Sequence, residues 1–202
     1  MTGASGYPCS GNALTRALGR LVLAAARFRI AGVLPVGPKF VVCVAPHTSN
    51  WDFVVVYAAK LVIGVRASWL GKHSAFRGLL GRLLSAMGGI AVDRSAAHGL
   101  VAQVVRRFAE SPELVLALAP EGTRRRVDRW RSGFYHIARQ AGVPIVPVGL
   151  DWGRRTVRIG DVFSPTGDEA EDLRVLHQFF AGVRGKIPEN AFPPPDRRLP
   201  SE

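Results

Sequence analysis

The chain has 202 residues, 48% of them hydrophobic, and carries 27 Lys and Arg against 15 acids, a formal charge of +12. That length supports one domain with its own core, and the apolar content excludes a disordered chain. The cationic excess calls for an anionic partner (nucleic acid, a phospholipid surface or a phosphorylated substrate), or else reflects a generally basic proteome.

Residues 1–10 bear Gly, Ser and Pro and read as loose. Residues 12–30 read as an amphipathic helix. Leu14, Leu18, Leu21, Val22, Ala25 and Phe28 fall on one stripe, and Arg16, Arg20 and Arg27 on the other side. Such a helix either packs on the domain or lies in a membrane interface. Gly37-Pro38 breaks the chain, and 39–45 then reads as a buried strand. Helices are expected over 51–65, 76–87, 97–110, 134–141 and 169–183, with Gly88-Gly89, Ser111-Pro112 and Gly142 as stops. Strands are expected over 67–70, 90–92, 114–119, 144–150 and 156–159. The alternation predicts an α/β fold: one domain, a parallel or mixed central sheet flanked by helices, and an amphipathic N-terminal helix. The expected organisation is an N-terminal amphipathic segment over 1–34, a main α/β domain over 35–185 and a Pro-rich disordered tail over 186–202.

No apolar run reaches the ~20 residues that cross a bilayer. The run 53–65 is interrupted by Lys60, and 21–26 is too short for a signal-peptide core. A cytosolic chain is therefore the expectation. Cys9 and Cys43 form neither a metal spacing nor a disulfide framework, and Cys43 is expected to be a buried free thiol.

Two polar clusters follow strand-like runs. His47 and Asp52 lie in Pro46-His47-Thr48-Ser49-Asn50-Trp51-Asp52. On one helix they would diverge by about 140°. With Ser49 as N-cap and Asp52 at the capping-box position, His47 sits in the loop before the helix and can fold onto the carboxylate. That pair can serve as a general base with its tautomer fixed, or Asp52 can be a cap beside a surface histidine. The second cluster is Pro120-Glu121-Gly122-Thr123-Arg124, with Arg125, Arg126, Arg129 and Arg131 behind it. Glu121 can hold a hydroxyl, Gly122 permits close approach, and Arg124 can grip a phosphate; a solvated basic turn is the plain alternative. Arg94 and Lys72, each ending a strand, are further phosphate candidates or ordinary surface charges. In open α/β sheets ligands bind beyond the carboxyl ends of strands, where both clusters fall. No zinc-type histidine spacing, nucleophile elbow or phosphate-binding glycine loop occurs. Nor is there the aromatic–basic interleaving of a single-strand nucleic-acid platform.

Taken together, the motifs resemble the glycerolipid acyltransferase family that includes 1-acyl-glycerol-3-phosphate acyltransferases. His47 to Asp52 matches its H-x-x-x-x-D box, Gly89 to Arg94 its G-x-x-x-x-R block, residues 120–124 its P-E-G-T-R block letter for letter, and Val143 to Pro147 its V-P-[IV]-V-P block. The resemblance runs from about Phe40 to Leu150. It implies that His47 is the base and Asp52 its partner. Glu121, Gly122 and Thr123 would place the acceptor, with Arg94, Arg124 and Lys72 toward its phosphate. An acyl group would pass from coenzyme A or acyl carrier protein to a lysolipid hydroxyl, with no metal, no cofactor and no covalent enzyme intermediate. The implied partners are the two substrates and an anionic membrane surface on the cytoplasmic side. Departures are Pro46 where Asn is usual, Thr48 where Gln is frequent, and Trp51 beside the acid. They leave open another lysolipid or a glycolipid as acceptor. A non-catalytic basic lipid-surface or phosphate-binding protein is the alternative that charge and the N-terminal helix would equally suit.

Overall fold

The computed structural model describes residues 6–35, 37–92 and 97–192, the side chains of Lys72, Ala97 and His98 excepted. The strands are β1 (Arg29–Ala31), β2 (Lys39–Ala45), β3 (Ala67–Lys72), β4 (Gly89–Val92), β5 (Leu114–Leu118), β6 (Ile145–Asp151) and β7 (Thr156–Ile159). They form one sheet in the order β1-β7-β6-β2-β5-β3-β4. Every pairing is parallel except β6 with β7. The α/β expectation, with a mixed central sheet, holds.

Helices α1 (Ala13–Ala25), α2 (Asn50–Ile63) and α3 (Gly78–Ala86) cover one face, and α4 (Ala97–Glu110), α5 (Gly133–Ala141) and α6 (Glu169–Phe180) the other. This explains why β2 reads as unbroken apolar sequence. Phe40, Val42 and Val44 pack toward α1 and α2, while Val41, Cys43 and Ala45 pack toward α5. Burial pushes the Cys43 thiol up, well away from a reactive thiolate. α3 joins the first layer through Trp69, which meets Phe53 of α2 at 5.2 Å and Phe76, just before α3, at 5.9 Å. A Lys60 Nζ bond to the Met87 carbonyl, 2.9 Å, ties α2 to the end of α3.

Two expectations change and one open reading is decided. Residues 26–30 are not helical. α1 ends with Ala26 as its cap, and Arg27 turns with φ +58°. That turn drops Phe28 into the core, edge-on to Trp152 at 4.9 Å, and lets β1 pair with β7 at the sheet edge. The leucine stripe of α1 turns outward. Leu23 and Gly19 are buried, and Leu14, Leu18 and Leu21 face solvent. Finally, the first part of the expected disordered tail is packed. Pro188–Asn190 forms a 3₁₀ turn, Ala191 is buried, and the Phe192 carbonyl accepts from Trp130 Nε1 at 3.2 Å. Residues 193–202 lie outside the described residues.

α1 is held at both ends. β1 anchors its exit. At its entry Ser10 N donates to the Gly64 carbonyl at 2.8 Å, beside a bridge of Cys9 with Val65.

Candidate active site

The two polar clusters meet because of strand register. β2 and β5 are neighbours, with Cys43 opposite Leu118, so they end within two residues of each other. From there β2 feeds α2 and crosses to β3, while β5 feeds α5 and crosses back to β6. The two connections leave in opposite directions on opposite faces, which opens a crevice between them.

Ser49 caps α2 and forms a capping box with Asp52. This places Asp52 in the first turn, 1% exposed. Its Oδ2 accepts from Thr48 N at 2.6 Å and Ser49 N at 2.7 Å, and lies 3.3 Å from His47 Nδ1. Its Oδ1 accepts from Trp152 Nε1 at 2.8 Å. The partners are all N–H groups, so the carboxylate serves them as acceptor. With Nδ1 donating to Asp52, Nε2 of His47 is left as the basic nitrogen. The His47 side chain, 23% exposed, stands at the wall of the crevice.

Glu121 is buried as deeply, 1% exposed, but beneath the site. Its Oε1 accepts from His47 N at 3.1 Å, bracing the loop that carries the imidazole. Its Oε2 has no partner among the described residues. Burial pushes the carboxyl up to about 7. The backbone bonds from His47 and from Glu121 itself pull against that, and the Asp52 charge adds to it. Gly122 has φ +65°, and a Cβ there would lie 3.0 Å from Arg131 Cδ. Arg131 N donates to the Pro120 carbonyl at 2.8 Å, folding the arginine loop back on its start. Thr123 Oγ1 accepts from Arg125 N at 3.3 Å. Arg124, Arg129 and Arg131 are exposed at the crevice mouth. Arg94 lies outside the described residues. Lys72 ends β3, on the far side of β5 from β2, and its side chain is not described.

The crevice holds about 1570 Å³. Phe53, Val56 and Tyr57 of α2 and Trp69 of β3 supply apolar wall. Residues 76–87 do not line it, since α3 turns Leu79, Leu80 and Leu83 outward.

Sequence reasoning missed Trp152. It follows the last residue of β6, the other neighbour of β2, so its indole reaches the start of α2. Phe28, the Arg155 guanidinium at 5.2 Å and Lys186 Nζ at 4.5 Å hold the ring. Thr48 was also missed as a structural residue. Its buried Oγ1 accepts from Ile187 N at 3.2 Å, pinning residues 185–187 against the loop. A Trp just after a core strand was the available signal for the first; nothing local marked the second.

Residues 28–151 match the family model described as Acyltransferase. The 1-acyl-sn-glycerol-3-phosphate acyltransferase of Escherichia coli (strain K12) is 33% identical over 112 residues, 52% of this chain and 44% of that protein. The protein of the same name from Limnanthes douglasii is 34% identical over 137 residues, 61% of this chain and 47% of that one. The chain thus spans less than half the length of these curated relatives. The crystal structure of the 1-acyl-sn-glycerophosphate (LPA) acyltransferase PlsC from Thermotoga maritima superposes with a TM-score of 0.61 at 17% identity, covering 83% of this chain and 75% of that one, a likeness of fold. With the matched model spanning both polar clusters and more than half of the residues, the chain belongs to the acyltransferase family.

Proposed function

We propose that the protein transfers a fatty acyl group from an acyl thioester, on coenzyme A or acyl carrier protein, to a hydroxyl of a lysophospholipid such as 1-acyl-glycerol-3-phosphate. The observation that carries this reading is His47 held by Asp52 at 3.3 Å, at the wall of a crevice with an arginine-lined mouth. His47 Nε2 takes the acceptor's hydroxyl proton as the oxygen attacks the thioester carbonyl. The tetrahedral intermediate then collapses, the C–S bond breaks, and the imidazolium returns its proton to the leaving thiolate. Asp52 stabilises the imidazolium between these steps and holds the ring in register. Arg124, with Arg94 and Lys72, would meet the acceptor phosphate, and Gly122 and Thr123 shape the turn beside it. No metal or cofactor enters this scheme.

The relatives' names supply the acceptor class, and the positive mouth suits its phosphate. No described helix is long and apolar enough to cross a membrane. A peripheral position on the cytoplasmic leaflet fits the exposed leucines of α1 and the supply of thioester donors. The test is thiol release from acyl-coenzyme A and from acyl carrier protein against a panel of lysolipids, with the product identified by mass spectrometry. Transfer by the wild type and none by His47→Ala is expected. Binding of lysolipid without turnover on any donor would replace the enzyme with a lipid-surface protein.

A further inference from the structure

After α6 the chain returns along the carboxyl edge of the sheet and touches its central strands in turn. The Arg184 carbonyl accepts from Trp152 N at 2.8 Å, just past β6. Ile187 N donates to Thr48 Oγ1 at 3.2 Å, in the loop after β2. The Phe192 carbonyl accepts from Trp130 Nε1 at 3.2 Å, in the arginine loop after β5. Residues 184, 187 and 192 thus follow the sheet order β6-β2-β5. The segment is seated by Val183 before it and by Ala191 near its end, both buried. It lies beyond residues 28–151, which match the family model, yet it joins the loop of His47 to the loop of Arg124.

Two contacts give the crossing its precision. Gly185 is buried against the His47 loop, where a Cβ would lie 2.8 Å from Thr48 Cγ2 and 3.4 Å from Pro46 Cγ. Only a residue without a side chain lets the backbone come that close. Beside it, Lys186 Nζ stands over two indoles, 4.5 Å from the Trp152 ring centroid and 5.0 Å from that of Trp51. Among the described residues Lys186 makes no ion pair. The two indoles flank Asp52. Trp51 precedes it in α2, and Trp152 Nε1 donates to its Oδ1 at 2.8 Å. An ammonium over an indole is held by the electron-rich face and polarises the ring toward a stronger N–H donor. Asp52 in turn lies 3.3 Å from His47 Nδ1. Contact therefore passes from Lys186 to Trp152, to Asp52, to His47. Burial of apolar surface does not account for this course, because Lys186 and Ile187 are exposed where the segment crosses the loop.

We infer, on the acyl-transfer reading above, that residues 184–192 are a positioning strap for the His47–Asp52 pair: Gly185 and Ile187 seat the His47 loop, and Lys186 orients Trp152 against Asp52. Lys186 is a positioning residue, acting through Trp152 rather than on a substrate.

Steady-state thiol release by the full chain tests this, with proton–nitrogen correlation spectra of the indole N–H groups as a readout that needs no turnover. Lys186→Met keeps the stem and removes the charge. It should lower kcat about fivefold while KM for donor and acceptor stays within about twofold, a partial loss because Arg155 also meets the Trp152 ring. Lys186→Arg, whose guanidinium also stacks on indole, should restore kcat. In a Trp152→Phe background Lys186→Met should cost nothing more, since the link is already cut. The Trp152 indole signal, identified by its loss in Trp152→Phe, should shift and exchange faster with solvent in the Lys186→Met variant. Gly185→Ala should lower kcat about tenfold. Thr48→Ser removes the methyl in the way, keeps the hydroxyl for Ile187 N, and should recover part of that loss. Should Gly185→Ala unfold, the exposed Lys186 side chain decides alone. A Lys186→Met variant with wild-type kcat and an unmoved indole signal overturns the inference. So does an equal loss from Lys186→Met with and without the Trp152 indole, or a loss confined to KM, which would make Lys186 a substrate contact. No transfer by the wild type from any donor to any lysolipid, with the indole response intact, supports the strap and removes the acyltransferase reading instead.

Discussion

The loops that end β2 and β5 each bury one carboxylate to the same depth, yet surround it differently. Asp52 receives N–H donors on both oxygens and faces an imidazole. Glu121 has one donor from the neighbouring loop and an oxygen with no partner among the described residues. The first arrangement suits the base proposed at His47; the second braces the His47 loop and leaves a carboxyl whose proton is held up to about 7. Depth alone does not assign a role to a buried acid. The number of donors around it does.

The contrast breaks most sharply at the base. His47→Ala should lower acyl transfer by about 10²–10⁴ with little change in melting, since the ring is a partly exposed loop group. Full activity in that variant ends the mechanism. Asp52→Asn comes next. Its amide must turn an NH₂ toward donors on one side or the other, so a stability loss of about 1–3 kcal/mol should accompany a large fall in kcat. Both are read by thiol release and chemical unfolding.

Glu121→Gln tests the other half. The folded carboxyl is raised from 4.5 to about 7, so between those pH values the folded state binds more protons than the unfolded chain. Wild-type stability from this group is therefore intact below about 4.5 and declines as pH rises to about 7, by at most about 3 kcal/mol. Gln keeps an acceptor for His47 N and cannot ionise. Urea unfolding at pH 5 and pH 8 should show the variant gaining on the wild type at the higher pH. An equal difference at both pH values would mean the carboxyl does not titrate there. Trp152→Phe retains the ring packing and removes one donor from Asp52, so kcat should fall about tenfold with KM nearly unchanged. The smallest effect is expected at Gly122→Ala, where positive φ and the nearby Arg131 side chain cost about 1 kcal/mol, seen as a modest drop in melting temperature.

Much of this fold was legible because its local signals agree. The apolar run 39–45, the stop at Gly142 and the span 97–110 needed no tertiary information, and the Ser49–Asp52 box was readable from spacing. β1 was not legible. Arg29–Ala31 has no pattern of its own and becomes a strand only because β7 offers an edge. The direction in which the leucines of α1 face was open in the sequence for a related reason. Periodicity marks which residues share a side, not which side the protein chooses, and here Gly19 decided the contact. In the site, the two motifs could be placed at strand ends from sequence, but the bond from His47 N to Glu121 depends on β2 lying beside β5. Trp152 reaches Asp52 across 100 residues of chain, a separation no local pattern reports.

The double fastening of α1, by β1 after it and by the Ser10–Gly64 bond before it, has a mechanical outcome. A helix tied by a slack linker lets its cargo bob at many heights above a surface. One clamped at both ends to the sheet fixes a single tilt and a single elevation. Whatever α1 adheres to therefore sets the attitude of the crevice mouth, and lengthening the β1 connection by a few glycines would trade that fixed attitude for drift.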